Sequence, residues 1–251
     1  MANSVSIDGI MCGRYNIVTN AQALYDAFNI ISSELDFSFF ETSYNLSPSP
    51  PGASTDKLTF APIVRCNHSG CEALPAVWPL IPRWAKGMVS KYSTANAKAE
   101  TLYSTKSYQY AWQHAHRCLV PATGFYEWQV IEGKKQKQPY NIKLAQQTVL
   151  AMAGLWEAST NPETEQTVES FTIITTQANP MMAKIHNTKE RMPVIISPEN
   201  YRAWLNGSAD DAESLLKSYP ENKMKAYKVS TYVNNPNNND EKCIQKLEED
   251  E

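Results

Sequence analysis

Apolar and polar residues along this chain recur mostly in short runs with period two, the signature of strands with one face buried. Residues 58–65 alternate in this way, and 148–156 and 170–176 are strongly β-patterned. Shorter strands are predicted at 13–18, 117–120, 124–130, 139–144, 192–196 and 226–229. Glu132-Gly133-Lys134-Lys135 supplies a hairpin turn between two of them, and residues 66–71 make another. Helical stretches are few. A short helix at 21–28 has Thr19 or Asn20 as cap, and 105–116 is amphipathic with Tyr108, Tyr110 and Trp112. Further helices are predicted at 180–186, 197–205 and 208–219, the last with Ser208 as cap and acids in its first turn. Residues 44–52 are a turn-rich, proline-laden loop that cannot be a central strand. Residues 34–42 are ambiguous, and 93–101 are small and polar with no clear period. Many short strands with helices between them predict an α+β fold with a curled antiparallel core and flanking helices.

Length and composition narrow this. The chain has 251 residues, 42% of them hydrophobic, enough for a substantial core in one large domain or two small ones. No apolar run is long enough to cross a membrane as a helix. The first residues, MANSVSIDGI, lack the basic and apolar regions of a signal peptide, which makes a cytoplasmic location the expectation. They read as a leader or upstream extension. Five cysteines without framework spacing argue for reduced thiols. Cys66 and Cys71 flank His68, but no second ligand pair stands at finger or ribbon spacing, so a surface turn is expected rather than a metal site. Neither a metal nor a cofactor is called for.

Charge is unevenly spread. The net charge is −3, yet residues 240–251 alone hold six acids against two lysines. Between Arg83 and Lys143 ten Lys/Arg face three Glu, a surplus of seven. Trp84, Tyr92, Trp112, Tyr126 and Trp128 are interleaved with those cations. Basic residues alternating with rings suit a single-stranded nucleic acid, whose backbone they neutralise and whose bases they stack on.

Several residues could carry chemistry. Cys12 follows a methionine; if it becomes the first residue, it presents a thiol and a free α-amine two carbons apart. Unperturbed, the amine titrates at about 7.7–8.0 and the thiol at about 8.5, so both have nucleophilic fractions near neutrality. Such a 1,2-aminothiol condenses with an aldehyde to a Schiff base, and the sulfur then closes a five-membered thiazolidine. Buried in a first strand, Cys12 would be inert. Glu127 lies in Gly124-Phe125-Tyr126-Glu127-Trp128, where burial among rings would raise its pKa and suit a general acid. Facing water, it would be an ordinary strand glutamate. His186 in Ile185-His186-Asn187 is an acid/base candidate or a satisfied core histidine. Asn96 could donate to a developing oxyanion or bond its own loop. Arg14, Lys98 and Lys106 could bind phosphate or be solvated charges, and His114 and His116 flank a helix end and read as structural.

Taken in order, Met-Cys-Gly-Arg-Tyr, Tyr-Asn-Leu-Ser-Pro, Trp-Pro-Leu-Ile-Pro-Arg-Trp, Asn-Ala-Lys-Ala-Glu-Thr, Arg-Cys-Leu-Val-Pro-Ala-Thr-Gly-Phe-Tyr-Glu-Trp, Ala-Gly-Leu-Trp-Glu and Ile-His-Asn followed by Arg-Met-Pro-Val-Ile form a specific set. The chain closely resembles the SOS response-associated peptidase (SRAP) family of abasic-site-shielding proteins. The likeness runs from Met11 to about 233–238. It implies a single β-rich domain over 12–238, with 1–11 removed and 239–251 as an acidic tail. It further implies a monomer, without membrane attachment, that binds single-stranded DNA with abasic sites. Such a protein would be cytoplasmic, and nucleoid-associated when on DNA. By motif match Cys12, Asn96, Glu127 and His186 are the catalytic set. Cys12 would close the thiazolidine, Glu127 would assist sugar ring opening, His186 would move protons, and Asn96 would orient the reacting atoms. Arg14, Asn45, Trp84, Lys98, Lys106 and Trp128 would line the DNA groove.

Three features depart from the family pattern. Residues 1–10 precede the motif, and while they are attached the amine is an amide and no thiazolidine forms. Lys98 stands where the motif has arginine, keeping charge but losing the bidentate fork. The loop from His186 to Arg191 is longer than in some relatives. Two other functions compete with crosslinking: a non-catalytic single-strand binder with a blocked Cys12, and a cysteine peptidase acting on its own leader or on other proteins.

Overall fold

A computed structural model describes residues 12–30, 35–85 and 91–248. The expected leader therefore lies outside the described residues, as does the start of the ambiguous 34–42 stretch. In chain order the strands are β1 Tyr15–Ile17, β2 Ser43–Leu46, β3 Thr59–Asn67, β4 Gly70–Trp78, β5 Asn96–Lys98, β6 Arg117–Ala122, β7 Gly124–Gln129, β8 Gln138–Leu144, β9 Leu150–Thr160, β10 Thr167–Gln177, β11 Arg191–Pro193, β12 Ile195–Ile196 and β13 Met224–Lys228. The helices are α1 Ala21–Ala27, α2 Gln109–Gln113, α3 Pro180–Ile185, α4 Tyr201–Asn206 and α5 Ala209–Ser214. The α+β expectation holds.

Strand pairing closes a barrel. β10 pairs with β4, β4 with β3, β3 with β6, β6 with β9, and β9 returns to β10. Short strands extend it: β5 and β11 on β10, and β12 on β9. The pairings of β10 with β4 and with β5 are parallel, a departure from the all-antiparallel expectation. Trp78, fully buried, stacks on Phe171 at 6.0 Å between ring centroids, meets Tyr15 at a tilt at 5.3 Å, and its Nε1 donates to Ala95 O. A second sheet, in the order β13-β8-β7-β1-β2, lies beside the barrel. The residues of 44–52 predicted not to form a central strand supply only the edge strand β2.

Helices are shorter than their sequence periods. Asn20 caps α1 by accepting from Ala23 N–H, and a capping box between Ser208 and Asp211 starts α5. α5 stops at Ser214 instead of reaching 219, and α2 begins only at Gln109. The 93–101 stretch contains β5, which its small polar residues conceal; parallel pairing with β10 makes it a strand. Cys66 and Cys71 form a disulfide, which corrects the expectation of reduced thiols. The β3–β4 register sets them directly opposite each other, with Cα atoms 3.9 Å apart. Cys12, Cys118 and Cys243 are free and buried.

The stretch that follows β13 is held down. Val229 bridges Lys246, Leu247 N–H donates to Lys228 O, and the Asn239 side chain accepts from the backbone of Tyr44 and Asn45. Residues read as the start of an acidic tail thus pack back onto β2 and β13. No helix among the described residues is long and apolar enough to cross a membrane.

Candidate active site

Antiparallel pairing of β1 with β7 brings the first two site residues together. Tyr15 opposes Phe125 and Asn16 opposes Gly124. Continuing that register places Gly13 beside Glu127, so the ladder delivers the Cys12 backbone nitrogen to the Glu127 carboxylate. Cys12 N–H donates to Glu127 Oε1 at 3.0 Å. Cys12 itself has φ +45°, in the left-handed region.

The third residue arrives from the barrel. β10 runs into α3, where Asn179 caps by accepting from Met182 N–H and Pro180 occupies the first turn. His186 ends that helix, with its Nδ1 3.6 Å from Glu127 Oε2 and 2.9 Å from Arg191 O. A carbonyl only accepts, so the neutral imidazole carries its proton on Nδ1 and leaves Nε2 bare. Cys12, Glu127 and His186 are all buried.

Burial dominates the electrostatics. It pushes the Glu127 carboxyl above the usual carboxylate range, opposed by His186, by the hydrogen bonds from Cys12 and by Lys189. Burial, reinforced by the neighbouring Glu127, pushes the Cys12 thiol well up, against smaller pulls from Arg191 and Lys189. The site thus favours a neutral thiol and makes the Glu127 carboxyl easier to protonate than an exposed one. That is an arrangement for giving and taking protons, not for storing a thiolate.

Asn96 opens β5, opposite Ile173 of β10. Both its side-chain Nδ2 and Oδ1 are buried without a hydrogen-bond partner among the described residues. Such a group carries an unmet desolvation cost that a bound polar ligand would relieve. Lys98, two residues on, is exposed at the end of the same strand.

The groove residues separate into two sets. Trp84 is partly exposed; Lys106 Nζ lies 5.0 Å from its ring centroid, and Tyr92 packs edge-on at 5.1 Å. Arg14 and Asn45 are instead buried ties. Arg14 donates to Asn45 Oδ1, Val233 O and Asn234 O, at 3.1, 2.7 and 3.0 Å. Asn45 Nδ2 donates to Val233, Asn235 and Asn238 carbonyls. Of these two expected groove residues, the structure shows the polar groups bonded to the chain after β13. Trp128 is half-buried, stacked beneath the Arg14 guanidinium at 5.9 Å, and donates to Asn234 Oδ1.

Arg191 and Glu100 were not singled out from the sequence. Arg191 makes a bidentate pair with Glu100, at 2.7 and 2.9 Å, and donates to Thr175 O at 2.6 Å. The Arg-Met-Pro block held the signal, but only the fold shows that this arginine's carbonyl fixes the His186 ring. Among the described residues no group of three or more His, Cys, Asp or Glu could hold a metal ion.

The sequence and the fold have counterparts. The chain belongs to the SOS response associated peptidase (SRAP) family, whose sequence pattern matches residues 11–236. It is 37% identical over 238 residues to the Bacillus subtilis "Abasic site processing protein YoqW", covering 94% of this chain and 99% of that protein. Over 228 residues it is 31% identical to the Xenopus tropicalis "Abasic site processing protein HMCES", covering 82% of this chain and 66% of that one. A crystal structure of a Bacteroides thetaiotaomicron protein superposes with a TM-score of 0.75 at 27% identity, over 94% of this chain and all of the other.

Proposed function

We propose that this protein processes abasic sites in single-stranded DNA by joining itself to them through a thiazolidine at Cys12. The observation that carries the reading is the placement of the Cys12 nitrogen, 3.0 Å from a buried carboxyl that a histidine also approaches. The names of the relatives add the class of substrate.

The steps follow from the residues. Glu127 in its protonated form gives a proton to the sugar ring oxygen as the bond from C1′ to that oxygen breaks, the C1′ hydroxyl gives its proton to water, and the ring opens to the aldehyde. The Cys12 amine adds to the aldehyde carbon, and the carbinolamine loses water to a Schiff base. The Cys12 sulfur then adds to the imine carbon as its proton leaves for His186 Nε2 or Glu127. One C–N and one C–S bond form, the aldehyde oxygen departs as water, and no oxidant is consumed. Asn96 supplies a donor and an acceptor for the sugar oxygens. The chemistry requires a free amine on Cys12, hence loss of residues 1–11. The upward push on the thiol speaks against a general thiol-peptidase role, which needs a stabilised thiolate.

The test mixes protein that begins at Cys12 with an oligonucleotide carrying one abasic site, and reads a denaturing gel. Wild type is expected to give a heat-stable adduct without reductant. Cys12→Ser keeps the amine and should yield only a borohydride-trappable Schiff base. A heat-stable adduct from Cys12→Ala at the wild-type rate would overturn the mechanism and point to a lysine.

A further inference from the structure

We propose that Asn187 is a positioning residue, whose carboxamide clamps the His186 loop to the strand that carries Glu127. The inference rests on the reading that Glu127 and His186 both move protons during the reaction at Cys12.

Glu127 and His186 arrive from different sheets. β7 is paired with β1 and β8, whereas α3 continues from β10 of the barrel. No strand ladder among the described residues joins β7 to β10. Side chains bridge that gap. Val130 N–H donates to Asn187 Oδ1 at 3.0 Å, and Asn187 Nδ2 donates to Val130 O at 2.9 Å. A carboxamide presents the same donor and acceptor as a peptide group, so Asn187 pairs with Val130 as a one-residue strand would. A third tie, from Gln129 Nε2 to Lys184 O at 2.9 Å, lies alongside.

The clamp has short levers. Asn187 is adjacent to His186, and Val130 is three residues beyond Glu127. The remainder of the loop is folded on itself: Lys189 and Glu190 N–H both point to His186 O, Glu190 turns at φ +49°, and Ala178 N–H bonds Glu190 O. The loop thus holds its own shape, and it is attached to the end of β7 by Asn187, with the Gln129–Lys184 bond holding the helix just before it. That attachment sets the 3.6 Å gap between His186 Nδ1 and Glu127 Oε2, slightly longer than a hydrogen bond. At such a distance a displacement of about 1 Å is enough to cost on the order of 10²-fold in rate.

Two variants test it. Asn187→Ala removes both bonds and should slow adduct formation by about 10–100-fold, while single-strand affinity stays within about twofold by the same reasoning. Asn187→Asp at neutral pH keeps the acceptor for Val130 N–H but sets a carboxylate against Val130 O. Once protonated, that carboxyl is an isostere of the amide and regains the donor. The Asn187→Asp rate, taken as a ratio to wild type, should therefore rise as pH falls toward about 4, the ordinary aspartate range. Glu127, His186, Lys189 and Glu190 titrate in both proteins, and the ratio removes their contribution. A loop that had merely unfolded would show no such recovery.

A readout without DNA separates this from the proposed reaction. Long-range ¹H–¹⁵N spectra of wild type should show His186 protonated at Nδ1; Asn187→Ala should keep that tautomer, which Arg191 O sets, and shift the His186 ring resonances as the ring moves relative to Glu127. If wild type makes no adduct but the ring resonances still shift, the clamp stands and the crosslinking reading fails. A wild-type rate together with an unchanged His186 spectrum in Asn187→Ala overturns the clamp.

Discussion

At the scale of single residues, the site turns on one carboxyl whose environment opposes its charge. Glu127 is buried, receives the Cys12 N–H and is approached by His186, and burial outweighs both in raising its pKa. Two consequences have opposite signs. In catalysis, Glu127→Gln cannot release a proton and should lower the crosslinking rate by about 10²–10⁴-fold, with DNA affinity retained. The fall in wild-type rate as pH rises through the elevated Glu127 pKa should vanish in the variant. In stability, a carboxyl whose folded pKa is raised favours folding most below its unfolded value. That advantage is lost as pH rises through the folded value. Glu127→Gln should therefore melt higher than wild type at neutral pH, and the difference should close as pH falls below the ordinary glutamate range. Melting curves at a series of pH values check this; a variant less stable than wild type at neutral pH would contradict the burial account.

At the scale of elements, regular alternation was legible and convergence was not. The strands near 58–65, 117–120 and 139–144 were plain in the sequence as short β-patterned runs, although β6 is buried throughout and only β8 comes near alternating in burial. β5 was hidden, since Asn96-Ala97-Lys98 has no period and becomes a strand only by pairing with β10. Glu127 and His186 could be chosen from their neighbours, but the contact between them depends on the meeting of two sheets. Arg14 shows a partner the sequence hid: its charge suggested phosphate, and the fold sets it on the carbonyls of Val233 and Asn234. Gly154 shows how tightly the barrel closes. It pairs with Cys118 of β6 on one side and Ile173 of β10 on the other. A Cβ there would lie 2.8 Å from Cys118 Sγ and 2.9 Å from Thr172 O, closer than side chains and backbone pack. Gly154→Ala should cost about 1–3 kcal/mol, read as a lowered midpoint in urea unfolding. An unchanged midpoint would mean that β6, β9 and β10 can separate without loss.

At the scale of the whole molecule, the net charge of −3 hides a basic, ring-bearing middle segment. Lys106 packs over Trp84, Trp84 contacts Tyr92, and Lys98 is exposed two residues from Asn96. A surface that neutralises phosphates releases counterions, which makes binding weaken with salt by about 0.7 log units per contact on single strands. Three or four such contacts give a slope of roughly −2 to −3. Lys98→Ala or Lys106→Ala should make that slope shallower by just under one unit on this account. Trp84→Ala should instead weaken binding at every salt concentration, by about 1–3 kcal/mol if a base stacks there. Because Lys106 lies on Trp84, their double variant should fall short of the sum of the two singles. Arg14→Ala should leave the slope unchanged and lower stability, since its guanidinium is already bound to carbonyls inside the molecule. Fluorescence anisotropy titrations over a range of salt concentrations, on single-stranded and duplex oligonucleotides, measure all of these together. Tight and salt-insensitive binding to intact duplex would dismantle the single-strand surface, and an Arg14→Ala slope as shallow as that of Lys106→Ala would return Arg14 to it.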